Sequence, residues 1–254
     1  MSPNAFVHTV TALAMLALLC LELREPGFRA DSFSPGARRR RNWAFLLTSL
    51  LPIFAVQWAT GWLQTRLPAL LAPGSLPLAL DFLGCTLVAE LLTWTLHWVK
   101  HRHPFLWNFH FQHHRDAHFS VWMVTHTHAL EVVISGAVMA AALLLLGFSP
   151  LSLQLYLALY SVVLMAHHSA RGYRLGWLAR IVASPDYHRL HHGIDANCNY
   201  AGALTLWDLV FGTARWPQAK DRDAPLGLAA EGGEPFGFRQ EMLHFLARRR
   251  KGPP

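Results

Sequence analysis

The sequence contains little charge. Only 15% of its 254 residues are Asp, Glu, Lys or Arg, whereas 53% are hydrophobic. Two long stretches, 42–65 and 132–170, contain no charged residue at all. Because about 20 apolar residues suffice to cross a bilayer, this composition excludes an ordinary soluble domain and favours a multi-pass membrane protein.

The sequence has few cysteines and no recognisable motif for a common redox cofactor. The three cysteines, Cys20, Cys85 and Cys198, show no paired spacing, which excludes a disulfide framework and a zinc–thiolate site. The His-Glu-x-x-His pattern of zinc proteases is absent. No flavin, haem or iron–sulfur motif is visible either, so any redox chemistry would need electrons from a separate protein.

The apolar stretches predict an all-α bundle of about four to five membrane spans. The run 132–170 is long enough to cross twice, with turn chemistry around Gly147 and Pro150. Residues 3–21 predict a retained helix, because a signal peptide would need a basic start and a small-residue cleavage site. A further span is predicted over about 77–99, and its Asp81 and Glu90 should face the bundle interior because lipid exposure of charge is costly.

The histidines provide the strongest functional signal. The chain has 16 of them, and eight form three groups: His97 and His101; His110, His113 and His114; His188, His191 and His192. Residues three or four apart share one face of a helix, so each group can direct several imidazoles at one site. A single histidine would more often be a core residue, but this repetition predicts a site for more than one metal ion. Imidazole suits iron, zinc, copper and nickel.

Additional ligands and partners of the imidazoles are expected nearby. His167 ends the last apolar run and could supply a ninth ligand, with the adjacent His168 as the alternative. Nine neutral ligands leave the metal charge uncompensated, which predicts carboxylates hydrogen-bonded to the far ring nitrogens. The candidates are Glu90, Glu131, Asp186, Asp195 and Asp208. For all except Glu90, helix capping or interface charge is an equally good interpretation.

Three segments carry a resemblance to a known family. They are His-Trp-Val-Lys-His at 97–101, Leu-Trp-Asn-Phe-His-Phe-Gln-His-His at 106–114 and Pro-Asp-Tyr-His-Arg-Leu-His-His at 185–192. Together with Asp195, Asn199-Tyr200 and the run 207–213, they resemble the fatty acid hydroxylase and sterol desaturase superfamily of integral-membrane, histidine-rich di-iron enzymes over about 81–213. The chain departs from the usual family pattern at Glu90, where aspartate is typical, and at Ser169, where asparagine is common.

This resemblance implies the cofactor and the site residues. It implies two iron ions, for which zinc can substitute in purified protein, held by His97, His101, His110, His113, His114, His167, His188, His191 and His192. We also expect the far ring nitrogens of these ligands, which do not bind metal, to be hydrogen-bonded by a set of polar residues: Glu90, Glu131, Asp186, Asp195, Asn199 and Asp208. The resemblance further implies that the Trp-Asp and Phe-Gly-Thr residues of 207–213 hold the histidine-bearing cap together instead of taking part in chemistry.

The resemblance also implies an activity, which the sequence leaves open in detail. The leading hypothesis is oxygen-dependent hydroxylation of a membrane lipid, either a sterol, a fatty acyl chain or a related lipid. A desaturase would use the same centre. A metal transporter or sensor would favour ligands at the bilayer midplane in discontinuous spans, which these groups at helix ends do not match.

Arginine distribution predicts the orientation and the division of the chain. Arg24, Arg29 and the run 38–41 fall between the first two spans, and the positive-inside rule makes that loop cytoplasmic. Counting spans forward places all three histidine groups on the same side. We therefore expect an N-terminal transmembrane helix (1–23), a basic cytoplasmic loop (24–41), a membrane-embedded catalytic domain (42–216) and a cytoplasmic tail (217–254) with a basic amphipathic helix on the bilayer surface.

The expected partners follow from the charge and the membrane setting. The net charge of +7 is explained by membrane-flanking runs, so we expect no nucleic acid. We expect a lipid substrate from the bilayer and a separate electron donor, a ferredoxin or a cytochrome b5-like protein with its reductase, which a basic cytoplasmic face would suit. Arginine outnumbers lysine, which favours a bacterial plasma membrane.

Overall fold

The computed structural model describes residues 3–22, 35–66, 68–69, 73–116, 119–170, 175–193, 197–218, 221, 224–227 and 238–247. Within these ranges the α-helices are α1 (Pro3–Glu22), α2 (Pro35–Gln64), α3 (Leu78–Lys100), α4 (Pro104–Arg115), α5 (Ala129–Leu146), α6 (Pro150–His167), α7 (Pro185–His191), α8 (Leu206–Val210) and α9 (Phe238–Ala247). Short 3₁₀ helices cover Val121–Thr125 and Gly176–Arg180. The predicted all-α class is confirmed.

Five of these helices, α1, α2, α3, α5 and α6, are long and apolar enough to cross a membrane. The turn predicted inside the run 132–170 separates α5 from α6. Gly147 ends α5 with a positive φ of 82°, and the Ser149 hydroxyl accepts a hydrogen bond from the Ser152 amide to begin α6. Asp81 is buried, as expected for a charged residue in a span, and accepts a hydrogen bond from the Ser149 amide (3.0 Å).

The second span begins earlier than the hydropathy predicts. Helix α2 starts at Pro35 and includes the arginine run that we expected in a loop. Arg41 is buried there because its guanidinium donates to Asp116 and to Glu241 of α9, each at 2.8 Å. The remainder of the predicted basic loop, 23–34, lies outside the described residues.

The tail is described only in part, but it contains the predicted helix. In α9, Glu241 pairs with Arg41, and the Phe238 ring packs edge-on against Phe45 of α2, with 5.1 Å between centroids. The burial of Glu241 raises the pKa of its carboxyl, although the neighbouring Arg41 opposes that shift. Helix α9 is therefore attached to the protein at α2, and its position on a bilayer remains a prediction.

The spanning helices direct all the histidine groups to one end of the bundle. Helix α1 packs along α6, α2 packs along α5, and α3 contacts both α5 and α6. Glu22, at the end of α1, accepts hydrogen bonds from the amides of Ala170 (2.7 Å) and Val121 (2.9 Å), so α1 and α6 run in the same direction. The described residues of 101–128 and 175–218, here named the cap, cover this end.

Candidate metal centre

Two separate clusters of imidazoles lie between the spanning helices and the cap. The ligand nitrogens of each cluster lie within 4.8 Å of one another. The first cluster contains His97, His101, His110, His114 and His191, and the second contains His113, His168, His188 and His192.

Helical spacing decides which histidine enters which cluster. In each His-x-x-His-His group the two outer histidines, four residues apart, share a cluster, because four residues are close to one helical turn. The middle histidine points into the other cluster. Thus α4 sends His110 and His114 to the first cluster and His113 to the second, whereas α7 reverses the pattern by sending His191 to the first cluster. The two groups together bridge both clusters.

The Nε2 atoms converge in each cluster. His114 Nε2 lies 3.1 Å from His101 Nε2, 3.2 Å from His110 Nε2 and 3.1 Å from His191 Nε2. In the second cluster, His168 Nε2 lies 3.1 Å from the Nε2 atoms of both His113 and His188, and His192 Nε2 lies 3.1 Å from that of His188.

The contacts of the other ring nitrogen, Nδ1, show that the short distances between Nε2 atoms are not ordinary hydrogen bonds. Nδ1 faces a backbone carbonyl oxygen in four cases: His97 to Tyr200 (2.9 Å), His113 to Met123 (3.2 Å), His168 to Leu164 (2.7 Å) and His191 to Cys198 (2.7 Å). A carbonyl only accepts, so Nδ1 must donate and Nε2 of the neutral ring then carries a lone pair. The Nε2 atoms of His113 and His168 thus present two lone pairs to each other.

Protonation does not resolve this repulsion. Burial lowers the pKa of His168 to about 4 and that of His191 to about 3, so both rings are neutral near pH 7. Nε2 of His97 is also buried and makes no hydrogen bond to the described part of the chain. A cation in each cluster would satisfy these inward-facing lone pairs, so the residues present fit two imidazole-bound metal ions.

Eight of the nine predicted ligands lie in the two clusters. The ninth clustered histidine is not the predicted one. It is His168 instead of His167, because His168 follows the last residue of α6 and its Nδ1 donates back to Leu164. The His167 ring stacks on His188, with 4.0 Å between centroids, and borders the cavity described below. Sequence spacing does not separate two adjacent histidines at a helix end.

Among the predicted carboxylates, Glu131 contacts a clustered imidazole. Its Oε1 accepts hydrogen bonds from His110 Nδ1 (2.9 Å) and from the Lys100 ammonium (2.7 Å). For the four rings whose Nδ1 faces a carbonyl, the backbone oxygens of Met123, Leu164, Cys198 and Tyr200 take the role that we assigned to carboxylates. Sequence reasoning missed them because every residue has a carbonyl group.

Glu90 and Asp208 hold the backbone instead of the imidazoles. Glu90 of α3 accepts from the Tyr156 hydroxyl (2.9 Å) and from two amides of the loop before α8 (2.8 Å each). Asp208 is fully buried and accepts from Trp94 Nε1, from the Tyr187 hydroxyl and from the amides of residues 200 and 201, each at 2.9 Å. Both carboxylates fix the cap on the bundle.

The remaining predicted residues are also separate from the imidazoles or are not described. Asn199, with a φ of 59°, donates to the carbonyls of Tyr187 (2.8 Å) and Arg215 (2.9 Å), which closes the cap. Asp186 lies half-buried in the first turn of α7, where a negative charge favours the helix N-terminus. Asp195 lies outside the described residues.

A large cavity adjoins both clusters. Its volume is about 860 Å³, and it is lined by residues of α1, α2, α3, α5 and α6. Five clustered histidines border its upper end: His97, His110, His113, His168 and His188. It continues along α6 to Pro150, at the opposite end of that helix.

Comparison with known proteins identifies the family. The model of the fatty acid hydroxylase family matches residues 82–213, slightly more than half of the chain. The chain belongs to the fatty acid hydroxylase family. The matched region contains all nine clustered histidines, in agreement with the resemblance over 81–213, whereas α1 and α2 precede it.

Several curated relatives of this hydroxylase-family chain have names that describe lipid oxidation. An ornithine lipid hydroxylase of Rhizobium tropici is 27% identical over 181 residues, covering 70% of this chain and 54% of the relative. Human alkylglycerol monooxygenase is 29% identical over 127 residues (46% and 26%), and human cholesterol 25-hydroxylase is 30% identical over 176 residues (65% and 61%). The chain therefore spans between about a quarter and three fifths of these relatives. No solved structure matches it significantly.

Proposed function

We propose that this protein is an oxygen-dependent hydroxylase of a membrane lipid, with one iron ion in each histidine cluster. The observation that carries the proposal is the position of the two clusters at one end of a largely apolar cavity between spanning helices. A substrate entering from the bilayer would meet the metal ions only with the part of it that reaches this end.

The residues have distinct roles in this proposal. His97, His101, His110, His114 and His191 would hold one iron ion, and His113, His168, His188 and His192 would hold the other. When bound, the iron ions supply the activation of dioxygen and the cleavage of an unactivated carbon–hydrogen bond. Glu131 orients the His110 ring, and the negative charge of Glu131 partly offsets the positive charge of the metal ions.

The cap keeps bulk water from the clusters. Trp107 and Phe111 of α4 are buried, as are Tyr187 and Tyr200. The cavity lining is predominantly apolar below the histidines. A dry site protects the reaction from competing proton and water chemistry.

Electrons would come from a separate donor, a ferredoxin or a cytochrome b5-like protein with its reductase. The histidine end of the bundle carries the exposed Arg39 and Arg40, to which an acidic donor is complementary. The positive-inside rule supports a cytoplasmic position for this end, and the excess of arginine over lysine favours a bacterial plasma membrane.

A desaturase with the same centre is distinguished from a hydroxylase by product mass. A hydroxylase product gains one oxygen atom, whereas a desaturase product loses two hydrogen atoms. A transporter or sensor is less well supported, since the clusters are enclosed at the helix ends and not arranged along a path across the membrane.

The test combines metal content with product analysis. Full-length protein from iron-replete cells, reconstituted with ferrous iron where zinc has replaced it, is compared with His113→Ala and His191→Ala. His103→Ala is the matched control because His103 is exposed and lies in neither cluster.

We expect iron equivalent to one ion per cluster in the wild type and the control, and a clear loss of iron in both cluster variants. With a lipid extract, a reductant and isotopically labelled dioxygen, only the iron-loaded proteins should yield a lipid with one labelled oxygen atom. Wild-type protein that retains no iron after reconstitution would overturn the proposal.

A further inference from the structure

The cavity has a second end, far from the metal clusters. It follows α6 from His168 to Pro150, which is about 27 Å at a rise of about 1.5 Å per residue. Among its described lining residues the Lys and Glu side chains are Lys100 and Glu131, which pair with each other at 2.7 Å at the histidine end. Among the described lining residues, the far end therefore has no carboxylate, ammonium or guanidinium group.

Two amide side chains line this far end. Gln57 of α2 and Gln154 of α6 are both half-buried within segments apolar enough to cross a membrane. Neither makes a hydrogen bond to the described part of the chain. By contrast, the lining hydroxyls of Thr60 and Ser161 donate to backbone carbonyls of their own helices, each at 2.7 Å. Unsatisfied polar groups at this depth are costly, so the two glutamines need a polar partner.

The register of the helices places these amides at one level. Helices α1 and α6 are joined at their upper ends, where Glu22 accepts from the Ala170 amide. At about 1.5 Å per residue, His8 lies about 21 Å below Glu22 and Gln154 about 24 Å below Ala170. The His8 ring lies 5.7 Å from the ring of Phe54, and Phe54 precedes Gln57 by one turn of α2. Side chains of three helices thus bring hydrogen-bonding groups to the same depth of one cavity.

We propose that Gln57 and Gln154 bind the polar end of the substrate, an uncharged hydroxyl group, while the apolar end of the same molecule reaches the metal clusters. An amide can both donate and accept, which matches a hydroxyl. Among the described residues of this end, an ammonium group would find no carboxylate, and a phosphate or carboxylate would find no ammonium or guanidinium group, so each would pay a large desolvation cost. The inference rests on the proposed function, because it takes this cavity as the substrate site.

The distance between the two ends of the cavity determines which part of the substrate can react. Gln154 lies about 21 Å from His168 along α6. The carbon that reacts is therefore remote from the polar group, and the two glutamines determine which part of the lipid reaches the metal clusters.

Binding of three probes of equal chain length tests the inference. Stearyl alcohol, stearylamine and octadecane are titrated into full-length, iron-loaded protein in detergent, and dissociation constants are measured by native mass spectrometry. The variants are Gln57→Leu and Gln154→Leu. The control is Thr48→Val, which removes a hydroxyl from α2 outside the cavity lining.

We expect the alcohol to bind the wild type more tightly than either other probe. Each glutamine variant should lower the affinity for the alcohol by about fivefold, the effect of one net hydrogen bond. The affinity for octadecane should not fall. The control should change neither value. Since the two glutamines belong to different helices, misfolding of one variant, detected by iron loss, leaves the other as the test.

Three results would overturn the inference. They are an equal affinity of the wild type for the alcohol and the alkane, an equal loss of affinity for both probes in the variants, or tighter binding of the amine than of the alcohol. A failure of the proposed function is distinguishable, because it would appear as missing iron or missing product while the selectivity for the alcohol persists.

Discussion

Single residues behind the imidazoles determine how the clusters can bind metal. A ring whose Nδ1 donates to a carbonyl is fixed in orientation and in tautomer, as for His168 on Leu164 and His191 on Cys198. Glu131 is different, since it brings a negative charge to His110 and is itself held by Lys100. It therefore affects both the orientation of the ligand and the charge balance of the site.

Removal of the charge of Glu131 should weaken metal binding without removing a ligand. We expect Glu131→Gln to lower the iron affinity by about 10- to 100-fold, the usual effect of losing a partner behind a ligand histidine. Competition with a chelator measures this change. The matched control is Asp186→Asn, which changes an equally plausible carboxylate in the first turn of α7. Equal losses of affinity in both variants would contradict the role of Glu131.

The sequence could predict most of the candidate ligands but few of their supports. Three- and four-residue spacing identified eight clustered histidines because it reports directly on the face of a helix. It could not choose between His167 and His168, since that choice depends on where α6 ends. Nor could it predict that Glu90 would bind the loop amides of Ala203 and Leu204, because these residues are distant in the chain.

Elements of secondary structure combine the histidines into two sites. Helices α4 and α7 divide their histidines between the clusters in opposite ways, so neither cluster is complete unless both helices are docked on the bundle, α4 on α3 and α7 on α6. The segment after α7 provides much of this docking. Its Asp208 connects Trp94 of α3, Tyr187 of α7 and the backbone of residues 200 and 201.

The stability of the cap should therefore depend on Asp208. In Asp208→Asn one acceptor oxygen becomes an NH2 group that faces donors, so we expect a loss of about 3 kcal/mol or more in the free energy of unfolding. Thermal unfolding of the protein in detergent measures this loss. Asp221→Asn is the control, because the ion-pair partner of Asp221, Arg215 at 2.9 Å, has a side chain that is 53% exposed, and the loss of so solvated a pair should cost at most about 1 kcal/mol. A small effect at Asp208 would show that the cap is held by other contacts.

Hydropathy was sufficient to predict the spanning elements but not all of their limits. Burial of apolar side chains in lipid dominates within the spans, so the positions of α1, α3, α5 and α6 agree with the prediction. Helix α2 begins seven residues before the uncharged run because Arg41 is neutralised by Asp116 and Glu241. Those partners come from distant parts of the chain, and their approach is a tertiary effect.

The whole molecule is polarised along the axis of the bundle. The cap, the clustered histidines and the basic start of α2 share one end, whereas the turn between α5 and α6 and the loop before α3 share the other. The positive-inside rule then predicts that the metal clusters face the cytoplasm and that the glutamine end of the cavity lies near the opposite leaflet.

Accessibility of engineered cysteines to a membrane-impermeant maleimide tests this orientation. Ser75→Cys, in the exposed loop before α3, and His103→Cys, at the exposed start of α4, are each placed in a Cys20→Ser background. We expect intact cells to label Ser75→Cys, whereas His103→Cys should react only after the membrane is permeabilised, because the arginines beside the cap retain that end in the cytoplasm. The reverse pattern would place the clusters outside the cell. An electron donor in the cytoplasm could not then reach them, and the proposed source of electrons would be wrong.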